Sequence, residues 1–501
     1  MPTIKKILIA NRGEIALRIM RSVREMGIST VAIYSEADRQ SPHVRYADEA
    51  VCIGPAPSSE SYLCGDKIIS VCKKLQVDAI HPGYGFLSEN ADFARAVIQA
   101  GIIFIGPSPE SIEVMGNKLA AKQAAATYHV PMVPGSSGAI TDIQASKELA
   151  ATIGYPVLIK ASAGGGGKGM RIVNSQDEFD EQMKRAVSEA SASFGDGSVF
   201  VEKYITSPKH IEIQILGDQH GHIIHLFERE CSIQRRHQKV IEEAPSISIT
   251  QEVREAMGKC AIDVARACNY YGAGTVEFIL DDQQNYYFLE MNTRLQVEHP
   301  VTEQITGIDL VKQMIHIAEG KHLGIKQEGL AIRGHAIEAR IYAEDPENNF
   351  LPDVGNLKTY RLPQGNGVRV DDGFEEGMDI PIFYDPMIAK LITFGNDRHE
   401  AINKMTRAID EYQISGVQTT LEFCKFVMLH ESFQNGSFDT NFVTNYFKPE
   451  FISRNQNSDH DSLAALFAAL LQETSFVTDT QKVADETSRN HSWKNRRLYN
   501  T

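Results

Sequence analysis

The first hundred residues alternate short apolar runs with amphipathic stretches. Ile7 to Ala10 predicts a strand, about Glu14 to Met26 carries apolar residues at helical spacing up to Gly27, and Thr30 to Tyr34 predicts a second strand. This is a βαβ unit. Further apolar runs at Val77 to His81 and Ile102 to Ile105, with helical patterns between them, extend it into an open parallel sheet. From about Met115 the texture changes, and Pro131, Pro134, Gly135, Ser136 and Ser137 predict a loop. Two sheet-forming regions follow: Tyr155 to Ile205, which holds a glycine run, and His210 to Asn292, which holds several alternating strands. Near Gly334 a third region opens with a strand, His335 to Tyr342, and runs through β-rich sequence to a helix at about Arg398 to Tyr412. After about Glu450 the chain turns polar, except for Leu463 to Leu471, and no repeat of solenoid period is present.

Composition changes this picture in three respects. A length of 501 residues, 42% hydrophobic and 23% charged, predicts roughly three globular domains and excludes a chain disordered over most of its length. With 50 Lys and Arg against 65 Asp and Glu, the net charge of -15 disfavours nucleic acid and anionic membranes, so an anionic substrate must meet a local basic pocket. Seven cysteines without a Cys-x-x-Cys pair suggest neither a disulfide framework nor a zinc ribbon. The N-terminal apolar run before Arg12 is too short for a signal peptide or a membrane span, and a cytoplasmic protein is expected.

The turn Asn11-Arg-Gly-Glu14 lacks the three spaced glycines of a dinucleotide site. Gly164 to Gly169 fits a G-x-G-x-x-G pattern, but strand-like Val157 to Lys160 and Met170 to Val173 flank it, so it reads as a hairpin tip, and Lys168 precedes Gly169 rather than Ser or Thr, which excludes a P-loop. Such a tip is either a surface loop or a cover whose backbone N–H groups lie over phosphates, with Lys160 and Lys168 adding charge. In the hairpin Thr275 to Leu280 and Tyr286 to Asn292, Glu277 is expected opposite Glu290, with Asn292 beyond it on the same face. Opposed carboxylates need a cation, and two carboxylates with an amide oxygen suit Mg²⁺; a slipped register or solvent exposure of both groups is the alternative. Gln234 to Lys239 is the densest basic cluster, either a solvated face or an anion pocket. Arg294, Gln296 and Glu298 are read as alternating onto one side of an extended segment, and Glu338 and Arg340 as sharing one side of a strand.

Taken together, the glycine hairpin Ala163 to Met170, Glu202-Lys-Tyr-Ile205, Glu230 to Lys239, Glu290-Met-Asn-Thr-Arg-Leu-Gln-Val-Glu-His299 and Glu338-Ala-Arg-Ile-Tyr342 resemble the biotin carboxylase signatures of the ATP-grasp superfamily. Leu8 to Ile15 and His81 to Asn90 match as well, and the resemblance covers about residues 3 to 447. It implies an α/β and α+β protein: a Rossmann-like N-terminal domain at 1–117, an ATP-grasp domain at 118–333 with a mobile glycine-rich lid at about 132–204, a β-rich C-terminal biotin carboxylase domain at 334–447 and an extension at 448–501. The implied activity is ATP-dependent carboxylation of biotin by bicarbonate through carboxyphosphate.

Carried over by motif position, Lys118, Lys160, His210, Gly166 and Gly167 contact phosphates. Glu202 and Lys203, with the backbone of Ile205, read adenine, Tyr204 and Gln234 bind the nucleotide, His237 lies near the ribose, and Glu277, Glu290 and Asn292 hold Mg²⁺ or Mn²⁺. Lys239, Arg294, Gln296 and the Val297 backbone form the bicarbonate pocket, Glu298 takes the bicarbonate proton, and Arg340 stabilises charge on the biotin ureido oxygen. A Met-Lys-Met biotinylation motif is absent, so biotin is expected on a separate carrier protein, with a carboxyltransferase subunit, a homodimer, and acetyl-CoA, propionyl-CoA or pyruvate as final acceptor. Leu463 to Leu471, Trp493, Arg496 and Arg497 are read either as a partner-docking element or as a terminal helix and tail. The rival readings are a carbamoyl-phosphate-type or carboxylate-amine ligase of the same superfamily, and a catalytically dead nucleotide-binding scaffold.

Overall fold

The structure is a computed structural model of the chain. It describes residues 3–136, 138, 140, 142–161, 170–194, 197–453, 463 and 465–470. The chain parts into two compact units, Met1–Phe447 and Lys448–Thr501. In the second, Glu450–Ser453 is a short helix, and the described part of the run predicted at Leu463 to Leu471 is helical with Leu463, Leu466, Phe467 and Leu470 exposed. Trp493, Arg496 and Arg497 lie outside the described residues. No helix among the described residues is long and apolar enough to cross a membrane.

The predicted parallel sheet is present in the first unit. Strands β1 (Lys6–Ile9), β2 (Ser29–Ser35), β3 (Glu49–Gly54), β4 (Ala79–His81) and β5 (Ile103–Phe104) lie in the order β3-β2-β1-β4-β5, all neighbours parallel. Their residues alternate between two buried faces. Ile7, Ile9 and Ala32 pack with Ile15, Ile19 and Val23 of the helix Gly13–Glu25, while Leu8, Val31, Ile33 and Ile80 pack with Ile68, Cys72 and Phe93 on the other side. Gly13 opens that helix at φ 62°, and a Cβ on Gly373 would come within 2.7 Å of the Glu14 backbone nitrogen, so two glycines let the first turn of the chain lie against the β-rich C-terminal part.

Three antiparallel strands, β6 (Val157–Ala161), β7 (Met170–Val173) and β8 (Val199–Lys203), form a separate sheet under the helices Ile143–Ile153 and Gln176–Phe194. The Lys160–Met170 pairing of β6 with β7 agrees with the expected hairpin, whose tip, including Gly166 and Gly167, lies outside the described residues.

The remaining large sheet has eight antiparallel strands: β9 (Lys209–Gly217), β10 (Ile223–Arg235), β11 (Gln238–Ala244), β12 (Gly272–Leu280), β13 (Tyr286–Asn292) and β14 (His335–Tyr342). Two short ribbons join β15 (Glu344–Asp345) to β16 (Leu351–Pro352) and β17 (Thr359–Arg361) to β20 (Gln413–Ser415), while β18 (Val368–Asp372) and β19 (Met387–Gly395) complete the order β13-β12-β9-β10-β11-β14-β19-β18. On β9 the chain alternates strictly. Ile211, Ile213 and Ile215 pack against Met257, Ala261 and Val264 of the helix Gln251–Ala267, which sends His210, Glu212 and Gln214 to the opposite face. That second face is polar and also buried, an expensive arrangement unless its groups satisfy one another.

Two histidines beside the parallel sheet have no exposure: His43 and His81. Burial, reinforced by Arg12 and only partly offset by Asp38, pushes His43 down to about 4, and burial with Arg18 pushes His81 down to about 3. Both rings are neutral when folded and take a proton near pH 6.5 once unfolded. At these two sites the unfolded state therefore binds more protons between about pH 6.5 and pH 4, and their contribution to stability falls as pH drops through that window. From pH 7 to pH 5 the urea midpoint should change less unfavourably in His43→Gln than in the unsubstituted chain; an identical pH slope in both would contradict this.

Candidate active site

Register assembles a charged row across four strands. Glu290 of β13 pairs with Glu277 of β12, Glu277 with Glu212 of β9, and Glu212 with Arg229 of β10. The sequence-predicted opposition of Glu277 and Glu290 is thus present, with Glu277 buried and Glu290 exposed. A row of three carboxylates is strongly repulsive, and two cations compensate it. Arg229 is fully buried: its Nε donates to Glu212 Oε1 at 2.5 Å, one terminal nitrogen to Gln214 Oε1 at 2.7 Å and Thr302 Oγ1 at 2.9 Å, the other to Thr275 Oγ1 at 3.1 Å and Gln296 Oε1 at 2.8 Å. Lys239 of β11 reaches over the row, with Nζ 2.5 Å from Glu212 Oε2, 2.9 Å from Glu277 Oε1 and 2.7 Å from Glu298 Oε1.

The expectation that Arg294, Gln296 and Glu298 alternate along an extended segment is corrected by the structure. Past Asn292 the chain leaves the sheet, turns at Val297 and Glu298, and enters the helix His299–Thr306, whose Pro300 suits a helix start. The three groups still converge, by turning inward rather than by strand periodicity. Arg294 donates to Asn292 Oδ1 at 3.0 Å and Glu89 Oε2 at 2.8 Å, Gln296 Nε2 donates to Glu277 Oε1 at 2.9 Å, and Glu298 Oε2 accepts from Arg340 at 2.9 Å. The Val297 carbonyl accepts from Lys390 Nζ at 3.0 Å. Burial by itself would raise the Glu298 carboxyl, but Lys239, Arg340 and Arg229 outweigh it and hold the group well below the usual carboxylate range. Lys239 is held well above the usual ammonium range because the attraction of Glu212, Glu277 and Glu298 overcomes its burial.

Arg340 of β14 is gripped from two sides, by Glu298 and by Glu242 Oε1 at 2.6 Å. Burial pushes Glu242 up to about 7 against the pull of Arg340. Glu338 shares that side of the sheet, paired in register with Glu242, and burial raises it well above the usual range. Arg340 and Arg294 line a cavity of about 530 Å³ together with Arg12, Glu14, Tyr84, Gln238, Val297 and Asp385.

The nucleotide-side candidates are arranged differently. Lys160 Nζ and Lys122 Nζ both bind Glu202, at 2.7 and 2.5 Å, so Glu202 is a lysine clamp between β6 and β8. Lys203 Nζ donates to the Gly154 and Tyr155 carbonyls, the Tyr204 amide to the Pro156 carbonyl, and Ile205 follows in the chain. His210 Nε2 lies 3.1 Å from Glu277 Oε2. Gln234 donates to the Cys231 carbonyl, and His237 is exposed on the β10–β11 turn at φ 68°. Lys118 starts the helix Lys118–Ala126. Glu277, Glu290 and Asn292 offer oxygen donors on one face, as a hard divalent cation requires; His210, Glu212 and Glu277 also approach one another within 4.8 Å.

Sequence reasoning missed Arg229, Glu212, Glu242, Lys390 and Glu89. The alternation His210-Ile-Glu-Ile-Gln214 was a usable signal for Glu212. Arg229 carried none, because Glu228, Arg229 and Glu230 are all buried, and register shifts on either side of them interrupt the alternation along the strand.

Family models match most of the chain: "Biotin carboxylase, N-terminal domain" at residues 3–112, "Carbamoyl-phosphate synthase L chain, ATP binding domain" at 117–326 and "Biotin carboxylase C-terminal domain" at 338–445. The chain is 53% identical over 444 residues to a biotin carboxylase of Halalkalibacterium halodurans, covering 89% of this chain and 98% of that one. It is 52% identical over 451 residues to the mitochondrial propionyl-CoA carboxylase alpha chain of Homo sapiens, covering 90% of this chain and 62% of the relative. Among solved structures it is similar to a Campylobacter jejuni biotin carboxylase–β,γ-ATP complex, with a TM-score of 0.84, 48% identity and coverage of 89% and 99%. It is also similar to the biotin carboxylase domain dimer of the Hydrogenobacter thermophilus 2-oxoglutarate carboxylase in complex with MgADP, ADP and bicarbonate, with a TM-score of 0.83, 47% identity and coverage of 89% and 98%.

Replacing Arg229 by Lys keeps the charge but supplies three donors where five are used, leaving at least two buried acceptors unbonded. At roughly 1–3 kcal/mol for each orphaned group, Arg229→Lys should lose about 2–6 kcal/mol of stability in urea unfolding. An unchanged midpoint would show that the knot is not structural.

Proposed function

This chain belongs to the biotin carboxylase family and catalyses the ATP- and bicarbonate-dependent carboxylation of biotin, and we propose that its residues divide the work as follows. Bicarbonate is a weak nucleophile, so it must lose a proton while held against the γ-phosphate of ATP. Lys239, Arg294, Gln296 and the Val297 backbone form its pocket, because a small anion is taken from water only by several converging donors. Glu298 is the base. Its position between Lys239 at 2.7 Å and Arg340 at 2.9 Å carries this reading. Those cations keep Glu298 ionised and ready, and an arriving anion that engages Lys239 and Arg294 takes up part of their charge, returning basicity to Glu298 when its substrate is bound.

Arg340, fixed by Glu242, stabilises negative charge on the ureido oxygen of biotin as its nitrogen is deprotonated. Lys118, Lys160, His210, Gly166 and Gly167 serve the phosphates; Glu202, Lys203, Tyr204 and Ile205 serve adenine; Gln234 and His237 lie along the nucleotide. The opposed Glu277 and Glu290, with Asn292, fit Mg²⁺ or Mn²⁺, which when bound neutralises charge on the transferred phosphoryl group. The divisions at 117, 333 and 447 separate an N-terminal domain, the ATP-grasp domain with its lid, and the C-terminal domain, leaving the extension at 448–501. We assign biotin to a separate carrier protein, a carboxyltransferase subunit to the second half-reaction, and a homodimer to this chain; the final acceptor is an acyl-CoA or pyruvate. Of the rival readings, the carboxylate-amine ligase explains neither Arg340 nor its cavity.

Phosphate release from ATP with bicarbonate, with and without free biotin, separates the two steps. Glu298→Gln should abolish bicarbonate-dependent ATP cleavage and biotin carboxylation together. Arg340→Ala should cut carboxylation by about 10² or more, the scale of losing one oxyanion donor, while a slow bicarbonate-dependent ATPase persists. Normal carboxylation by Arg340→Ala, or retention of both activities by Glu298→Gln, would remove these assignments.

A further inference from the structure

The cavity holding Arg294 and Arg340 changes character from floor to rim. Its inner lining is polar and buried, with Asn11, Glu14 and Arg340 at 3%, 5% and 8% exposure. At its rim stands Phe383, 48% exposed, and beside it Ile382, at 72% the most exposed large apolar side chain among the described residues. This turn is fastened in place. The Tyr384 hydroxyl donates to the Ala56 carbonyl and lies 2.5 Å from Ser35 Oγ, Arg12 sits 4.1 Å from the centre of the Tyr384 ring, and Tyr62 meets that ring edge-on at 5.7 Å. On the far side Asp385 accepts from the Met387 amide at 2.9 Å. The chain thus holds two large apolar side chains in water at the mouth of its substrate cavity, forgoing the gain of burying them within the fold.

The chemistry of a tethered substrate names their occupant. The ureido head of biotin is polar and belongs with the cations of the floor. Its acyl arm and the lysine side chain that carries it are methylene chains, which find an apolar wall at Phe383, and leaving along it they bring the surface around that lysine against Ile382. A cavity of about 530 Å³ takes the head and arm but not a protein domain, so any folded carrier stays outside and rests on the rim. We infer that the Ile382–Phe383 turn is the docking surface for the carrier segment bearing the biotinylated lysine, through an apolar side chain beside that lysine. This rests on the assignment of the cavity to biotin.

Ile382 does not line the cavity, so it can be changed without touching the reacting groups. The test compares the chain with Ile382→Glu and Ile382→Ala on two substrates, free biotin and a folded carrier protein biotinylated on its lysine, with sedimentation of each variant. Turnover of free biotin should stay within about twofold in both variants, which also shows that they fold. The kcat/KM for the carrier should fall at least tenfold in Ile382→Glu, mainly through KM, and less in Ile382→Ala. Equal losses on both substrates, or none on the carrier, would overturn the docking surface. A change in association state accompanying the loss would assign the turn to a second copy of the chain and overturn it as well. An unsubstituted chain that carboxylates neither substrate would bring down the functional reading itself, and the docking surface with it.

Discussion

Arg229 carries a full positive charge into a position with no solvent exposure, and every N–H of its guanidinium is used there. Its acceptors come from β9, β12, the turn after β13 and the helix His299–Thr306, so one planar group fixes four separate stretches of chain. Only an arginine offers that fork. The consequence reaches the chemistry directly. Arg229 orients Glu212 and Gln296, Gln296 meets Glu277, and Lys239 bonds Glu212, Glu277 and Glu298. A face that would repel itself becomes a set of carboxylates held at fixed distances.

The same balance explains how such a site accepts anionic substrates in a chain of net charge -15. Its cations are already engaged: Lys239 with three carboxylates, Arg340 with two, and Arg294 with Glu89. On the assignment proposed above, an incoming anion would exchange partners with groups whose desolvation has been met by folding, so less reorganisation would remain for the binding step. Lys390 provides a further support. It lies in register beside Arg340, is fully buried, and holds the Val297 carbonyl while pairing with Glu14 at 3.2 Å.

Much of this was legible from residues alone, wherever local periodicity governs. The βαβ start, the β14 strand, and the opposition of Glu277 to Glu290 follow from short apolar runs and a tight turn. Periodicity misled at Arg294 to Glu298, because Pro300 and the following helix end the extended chain sooner than the alternation implies. It was silent where partners are remote. Arg294 meets Glu89 and Arg229 meets Thr302 only after folding, and Glu242 meets Arg340 only once β11 and β14 pair. The cofactor-side lysines were recognisable as charges, but the pairing of Lys160 and Lys122 on Glu202 depends on the β6–β8 register and on a helix far upstream.

We propose that this charged face makes bicarbonate the nucleophile toward the γ-phosphate of ATP, with Glu298 as its base. It is tested most directly by supplying ¹⁸O-labelled bicarbonate with ATP and biotin and weighing the phosphate released. A bicarbonate oxygen that attacks phosphorus stays on it when CO₂ departs, so each phosphate should carry one labelled oxygen. Phosphate bearing no label, with its new oxygen drawn from water, would mean that ATP is cleaved by hydrolysis and that bicarbonate is not activated at this site.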